Sequence, residues 1–295
     1  METHTVMLTG GTGFLGSYLL RKLLNEKYKV ILLKRSFSDI WRIKNQIDDV
    51  AVYDIDIADI NTIFQENKID TIIHCATNYG RKDKDRLKIV SSNFIFPLQL
   101  LELSLKNNQA ATFINTDTIF DRSVNDYALA KKQFKEWLER NADNKKCINV
   151  SLDQFYGPYD DTTKFVTFVI DKLFSNVEYI DFTKGEQKRA FIYIDDVVNA
   201  FMKLLVHSRS LKNGFYEYEV CGMRKETIKN IVEMIKRLSG NTSTDLRFGA
   251  VPYRENDLKE LNIDTSALKA LGWEPKIDLE EGLALTIESN CKLTE

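Results

Sequence analysis

The segment "TGGTGFLG" at 9–16 constrains the fold of this chain more than any other. It follows "TVMLT" (5–9), a short apolar run rich in β-formers, and leads into "FLGSYLLRKLLNE" (14–26), which has helical periodicity. Gly10, Gly13 and Gly16 thus sit at a strand-to-helix junction with G-x-x-G-x-x-G spacing. The first glycine permits a tight turn, the next lets backbone approach a pyrophosphate, and the third lets helix and strand pack closely. Backbone N–H groups at the helix start then face the phosphates. The spacing predicts a dinucleotide cradle at these three glycines.

The same alternation continues. Strand-like runs fall at 29–34, 50–55, 71–76, 111–116 and 147–152, with helical segments around 59–66, 88–106 and 127–140. Short apolar strands alternating with helices predict an α/β fold, a Rossmann-type doubly wound parallel sheet with helices on both faces. After about residue 158 the rhythm changes. Helices are expected at 164–174 and at 227–240, the latter ending at Gly240. The C-terminal segment reads as two short helices joined through Gly272 and Pro275, and "RAFIYIDDVVNAFMKLL" (189–205) as another strand and helix. The expected division is a dinucleotide-binding domain of 1–160 plus about 186–222. A smaller, mostly helical substrate domain takes about 161–185 plus 223–295.

Charge is nearly balanced, with 41 Lys and Arg against 43 Asp and Glu, so no whole-protein field favours nucleic acid or an anionic membrane as partner. "RKDKDRLK" (81–88) mixes both signs and reads as a solvated loop or helix entrance, with phosphate binding as the alternative. Cys75, Cys147, Cys221 and Cys291 form no C-x-x-C, and the three histidines are dispersed, so no metal site is expected. No charged leader with an apolar stretch opens the chain, and no run of about 18 apolar residues occurs. The expectation is a soluble, cytoplasmic protein.

The end of the second strand bears on the cofactor. An NAD site commonly has an acidic residue about 20 residues past the glycines, for the adenosine 2′-OH. Here the place reads Lys34, Arg35, Ser36. Two cations suit a 2′-phosphate, which Arg engages bidentately. NADP(H) is therefore the expected cofactor. Asp56, at the end of the third strand, is a candidate acceptor for the adenine amino group.

"NTDTIFDRSVNDYALAK" (115–131) carries the candidate chemistry. Ligands of open α/β sheets bind at the carboxyl ends of strands, where Thr116 lies. Tyr127 opens the next helix and Lys131 stands one turn on, on the same face. Tyr18 and Lys22 share that spacing but lie on the helix after the glycine turn, where a tyrosine packs and a lysine reaches solvent.

Together, "TGGTGFLG", "HCAT" (74–77), the hydroxyl at the strand end, "YALAK", "FYGP" (155–158), "GEQKRAFIYIDDVVNAF" (185–201) and "LGWEP" (271–275) resemble the extended short-chain dehydrogenase/reductase family over essentially the whole chain. The resemblance implies Thr116, Tyr127 and Lys131 as the catalytic triad. Tyr127 is then the acid/base, and Lys131 also holds the ribose hydroxyls. It adds Phe14, Leu15, Ile57 and Ala76 to the cofactor contacts, and implies a homodimer. A free tyrosine has a pKa of about 10. Lys131 and an oxidised nicotinamide nearby would lower it, and Thr116 Oγ1 would hydrogen-bond the substrate oxygen where charge develops.

Within the family, sugar-nucleotide dehydratases carry an Asp-Glu pair after the strand-end hydroxyl. Here Asp117 and Thr118 follow, so the second carboxylate is missing. "NTDTIFD" is similar instead to the 4-keto-sugar nucleotide reductases, and with "HCATNYGRK", "TKFV" and "GEQKRAFIYIDDVVNA" to CDP-abequose and CDP-paratose synthases. That likeness implies NADPH-dependent reduction at C4 of a CDP-4-keto-3,6-dideoxyhexose or dTDP-4-keto-6-deoxyhexose, in deoxysugar synthesis for surface polysaccharide such as lipopolysaccharide O-antigen. Substrate contacts are expected at Tyr79, Asp117, Thr118, Gln154, Arg189 and Arg254. The arginine common before "YGP" is absent, since 151–154 reads Ser, Leu, Asp, Gln. A 4-epimerase with tightly bound NAD(P), or a non-catalytic NADP-binding regulator, are the alternatives.

Overall fold

The computed structural model describes residues 4–81, 84–107, 111–253 and 261–291. The chain divides into two compact units. One comprises Met1–Leu152, Val198–Glu219 and Ser266–Trp273, the other Asp153–Val197, Val220–Thr265 and Glu274–Glu295. Residues 153–160 and 186–197, expected with the nucleotide domain, group here with the second unit.

The first unit is built on β1 (Thr5–Thr9), β2 (Lys29–Lys34), β3 (Ala51–Asp54), β4 (Thr71–His74), β5 (Thr112–Thr118), β6 (Lys146–Leu152) and β11 (Gly214–Val220). They form one seven-stranded sheet in the order β11-β6-β5-β4-β1-β2-β3. Every pairing from β3 across to β6 is parallel. The order reverses direction at β1, so β1 and β4 flank the crevice where such sheets bind ligands. Strands β1, β4 and β5 are buried along their whole length, as expected when helices cover both faces.

Helices α1 (Phe14–Asn25), α2 (Ile60–Glu66), α3 (Arg86–Val90), α4 (Phe96–Lys106) and α5 (Asp126–Arg140) connect the strands. Helix α1 buries Leu19, Leu20 and Leu23, spaced to form one stripe. The core on the α4–α5 face joins Met7, Ile31, Ile72, Leu101, Phe113, Phe134 and Leu138.

Three local departures from the sequence expectation have physical causes. Strand β5 runs on to Thr118. The single helix expected over 88–106 is interrupted by a wide π turn at Ser91–Ile95. There Asn93 is buried and donates Nδ2 to the carbonyls of Ile89 (2.9 Å) and Asn78 (2.8 Å). Strand β11 was not foreseen, because its half-buried edge residues lack a clean alternation.

The second unit contains α6 (Phe165–Phe174), α8 (Ile228–Leu238) and α10 (Leu279–Cys291), with short strand pairs β7 (Phe155–Tyr156) and β10 (Ile192–Tyr193), β9 (Lys188–Arg189) and β12 (Glu226–Thr227), and β8 (Tyr179–Phe182) and β13 (Asp245–Phe248). Helix α7 (Ile194–His207) begins here, and α9 (Ser266–Ala270) belongs to the first unit. Tyr156 donates its hydroxyl to the Leu279 carbonyl (3.1 Å). Asp196 accepts from the backbone N–H groups of Lys276 and Ile277 (both 3.0 Å), which fixes the entry to α10. Among the described residues no helix is long and apolar enough to cross a membrane.

Candidate active site

The three glycines have different surroundings. Gly10 takes the left-handed φ of +68°, and a Cβ there would lie 2.5 Å from the Ala76 nitrogen. A Cβ on Gly16 would collide with the Gly10 carbonyl. Gly10 and Gly16 are therefore required by the turn itself. Gly13 is the extended N-cap of α1, and a Cβ there would approach the Gly10 carbonyl at 3.2 Å. Its exposed side stays open to a ligand. No side chain caps α1 and no acid lies in its first turn, so the start of the helix presents its positive dipole end to an anion. Thr9 ties this turn to the next strand: its Oγ1 accepts from the N–H groups of Cys75 and Ala76 (3.2 Å each). These residues fit a dinucleotide pyrophosphate.

At the end of β2, the cations Lys34 and Arg35 meet carboxylates from the end of β3. Lys34 Nζ lies 3.4 Å from Asp54 Oδ2, and Arg35 Nε pairs with Asp56. Ser36 N–H donates to Asp56 (2.8 Å) and its hydroxyl to Asp54 (2.8 Å). The expectation treated the two cations as free for a phosphate; register alignment of Lys34 with Asp54 brings the opposing charges together instead. Ile57 beside them is exposed.

The chemistry-bearing residues gather at the end of β5 and the start of α5. Asn125 caps α5 by accepting from Ala128 N–H (2.8 Å), which sets Tyr127 in the first turn. Tyr127 is half-buried, with its ring 5.1 Å from that of Tyr79, centroid to centroid. Arg81 lies 5.0 Å over the Tyr79 ring. Lys131 is 1% exposed and donates Nζ to the Thr116 carbonyl (2.9 Å).

Thr116 Oγ1, expected to hydrogen-bond the substrate oxygen, donates here to the His74 carbonyl on neighbouring β4 (3.0 Å). The hydroxyl that favours the Tyr127 phenolate belongs to Thr118, two residues on and therefore on the same strand face. Lys131 together with an oxidised nicotinamide is expected to lower the Tyr127 pKa; the protein groups alone act the other way. In the structure burial of the phenol, then the charges of Tyr79 and Asp117, push it well above its ordinary value, opposed by Thr118 and Arg81. The residues themselves keep Tyr127 protonated. Burial also brings the Lys131 amine down to about 8, against the attraction of Asp117 and the Cys75 thiolate form.

Asp117 was expected to contact substrate. Its carboxylate is fully buried and already engaged: Oδ1 accepts from Thr118 N–H (2.7 Å), and Oδ2 from Lys132 Nζ (2.8 Å) and Asn149 Nδ2 (2.9 Å). Asn149 in turn accepts from Asn115 (2.8 Å). Thr9, His74, Asn115 and Asn149 occupy aligned positions on β1, β4, β5 and β6, and Thr9 Oγ1 meets His74 Nδ1 at 2.8 Å. Lys132, Asn149 and Asn93 were missed from sequence; only the doubled lysine in "YALAKK" offered a signal.

Gln154 and Arg189 belong to the second unit. Gln154 accepts from Ile192 N–H (3.0 Å) through its backbone carbonyl, leaving its side chain out of that contact. Burial raises the neighbouring Asp153 to about 6, opposed by Arg189 and Lys225. Arg254 lies outside the described residues. Tyr18 and Lys22 follow expectation: Tyr18 packs edge-on to Phe14, and Lys22 pairs with Glu26 (3.0 Å).

Comparison with known proteins agrees with this geometry. Residues 6–221 match the family described as NAD dependent epimerase/dehydratase. A CDP-abequose synthase of Salmonella muenchen is 34% identical over 290 residues, covering 94% of this chain and 95% of that protein. A putative UDP-glucose 4-epimerase of Methanocaldococcus jannaschii is 24% identical over 307 residues, with 94% and 95% covered. The crystal structure of Thermotoga maritima UDP-glucose 4-epimerase with UDP-glucose superposes with a TM-score of 0.85 at 24% identity, covering 99% of this chain and 100% of that one. Bacillus cereus UDP-glucuronic acid 4-epimerase in complex with UDP-glucuronic acid and NAD gives 0.83 at 22%, covering 98% and 99%. This chain, with its seven-stranded sheet and glycine turn, belongs to the NAD dependent epimerase/dehydratase family, the extended short-chain dehydrogenases/reductases.

Proposed function

We propose that this protein is an NADPH-dependent nucleotide-sugar 4-ketoreductase, acting on a CDP-4-keto-3,6-dideoxyhexose or a closely similar dTDP-4-keto-6-deoxyhexose. The observation that carries the reading is the end of β5. Tyr127 stands there beside a threonine hydroxyl, and the adjacent Asp117 is buried and bonded to Lys132 and Asn149. A dehydratase needs a carboxylate where Thr118 stands. The likeness to CDP-abequose synthases supports the substrate class.

When bound, the nicotinamide would supply hydride to C4. Gly10, Gly13, Gly16 and the start of α1 at Phe14 and Leu15 would hold its pyrophosphate, beside Ala76, and Asp56 and Ile57 would border the adenine. Tyr127 gives its phenolic proton to the C4 oxygen, with Thr118 orienting the phenol. Lys131, held by the Thr116 carbonyl, is protonated at neutral pH, and its positive charge stabilises the phenolate left behind. Lys131 also suits the ribose hydroxyls. Tyr79 would line the sugar pocket.

The purified protein is expected to consume one NADPH per 4-keto sugar nucleotide reduced, assayed over a panel of CDP-, dTDP-, GDP- and UDP-linked 4-keto sugars. Interconversion of 4-hydroxy sugar nucleotides with no net loss of nicotinamide absorbance would make it a 4-epimerase instead. No turnover at all, with NADPH bound, would favour a regulator.

Cofactor choice is separately testable. A 2′-phosphate must compete with Asp56 for Arg35, since the two are paired. Asp56→Asn is therefore expected to raise the preference for NADPH over NADH, and Arg35→Met to lower it, by about 1.5–3 kcal/mol for the lost charge-assisted contact. Fluorescence titration with both cofactors reads the ratio. Equal binding of NADH and NADPH by the unaltered protein would remove the NADP reading.

A further inference from the structure

We propose that Lys132 is a positioning residue, which clamps Asp117 and the Thr118 carbonyl and so fixes the Thr118 hydroxyl against Tyr127. The inference rests on the reading of Tyr127 as proton donor.

The geometry is specific. Lys131 and Lys132 are neighbours on α5, and they reach carbonyls two residues apart on β5. Lys131 takes that of Thr116 (2.9 Å) and Lys132 that of Thr118 (2.5 Å). Lys132 Nζ also lies 2.8 Å from Asp117 Oδ2, whose carboxylate is wholly buried while Lys132 keeps 20% of its side chain exposed. Asp117 returns the grip on the strand by accepting from Thr118 N–H. Thr118 is thus held at its N–H, through the carboxylate, and at its carbonyl, through the ammonium. Its side chain is left to meet Tyr127 and the Phe120 N–H (3.2 Å). One strand residue held at both backbone groups has little freedom to move its hydroxyl. This is the precision a proton donor requires of its partner.

The clamp also has an electrostatic side. A carboxylate so close to the site would act on both catalytic groups. Asp117 favours protonated Tyr127 and protonated Lys131, while Lys132 opposes it at Lys131. The other groups facing Lys131 and Tyr127 are His74, Cys75, Tyr79, Arg81 and Thr118. The two members of the clamp therefore move the Lys131 amine in opposite directions. A salt bridge that merely held the fold together would not be required to do so.

The experiment needs no substrate for its first arm. The Lys131 amine is titrated by ¹³Cε NMR of lysine-labelled full-length protein and assigned with Lys131→Met. Lys132→Met is expected to shift its midpoint upward by about one unit, a tenfold gain in proton affinity. Asp117→Asn is expected to shift it downward, and the double variant to return it towards the original value. Should Lys132→Met fail to fold, the sign of the Asp117→Asn shift, compared with Lys132→Arg held near the original midpoint, decides the matter. In the second arm, turnover of the 4-keto sugar identified by the panel is expected to fall about 10- to 100-fold in Lys132→Met, within the range for impaired acid–base catalysis, with KM little changed. An unmoved Lys131 midpoint in Lys132→Met or an upward one in Asp117→Asn would overturn the proposal, as would a loss confined to KM. If the titrations behave as stated but no panel member is reduced, the clamp stands and the functional reading fails.

Discussion

Tyr127→Phe is expected to lower turnover by about 10²–10⁴-fold, the range for loss of a general acid, while NADPH binding stays nearly intact. The substitution removes one oxygen and keeps the ring, so the stacking against Tyr79 survives. The lost atom is the proton source, and in this site burial holds it in the protonated state. Comparison of kcat with the dissociation constant for NADPH separates the two effects. Near-normal turnover in this variant would remove Tyr127 from the mechanism. A parallel loss of NADPH affinity would show that the phenol acts in binding.

Gly10→Ala should produce a large loss of stability from a single methyl group. The left-handed φ costs an L-residue about 1–2 kcal/mol. The new Cβ would also sit 2.5 Å from the Ala76 nitrogen, in backbone that has no side-chain freedom to yield. Forcing such a shift costs about 1–3 kcal/mol more. Urea denaturation monitored by far-UV circular dichroism gives the sum, about 2–5 kcal/mol. Gly13→Ala is the control. Its φ is ordinary and its Cβ would crowd the Gly10 carbonyl only mildly, at 3.2 Å, so the stability loss should be much smaller than at Gly10 while dinucleotide binding weakens. Equal stability losses in both variants would mean that the turn is not shaped as described.

The fold was legible because each part of it is local. "TVMLT", "TGGTGFLG" and the helix after it identify strand, turn and helix within a few residues, and the later runs repeat the unit. Bonding within the site was less legible because it is non-local. Thr116 and Thr118 point to one face of the same strand, and only the neighbouring His74 carbonyl decides that Thr116 turns aside. Lys34 and Arg35 read as free cations until β3 is laid beside β2, which brings up Asp54 and Asp56. The assignment of residues 186–197 to a unit likewise depends on distant partners, such as Asp196 with the backbone before α10.

The row formed by Thr9, His74, Asn115 and Asn149 has a consequence for how the sheet assembles. Parallel strands made of valine, isoleucine and leucine gain similar burial when one slides past another, so apolar residues alone discriminate weakly among alignments. A slide of β5 by two residues against β6 would preserve which side chains face the helices. It would also draw Asn115 from Asn149, and Asn149 from Asp117, leaving amides and a carboxylate stranded in the interior. Each stranded amide costs about 1–3 kcal/mol, and a stranded charge more. The polar row therefore acts as a key, admitting one alignment of the central strands, and that alignment is the one that sets the ends of β5 and β6 level and carries both three residues past the end of β4.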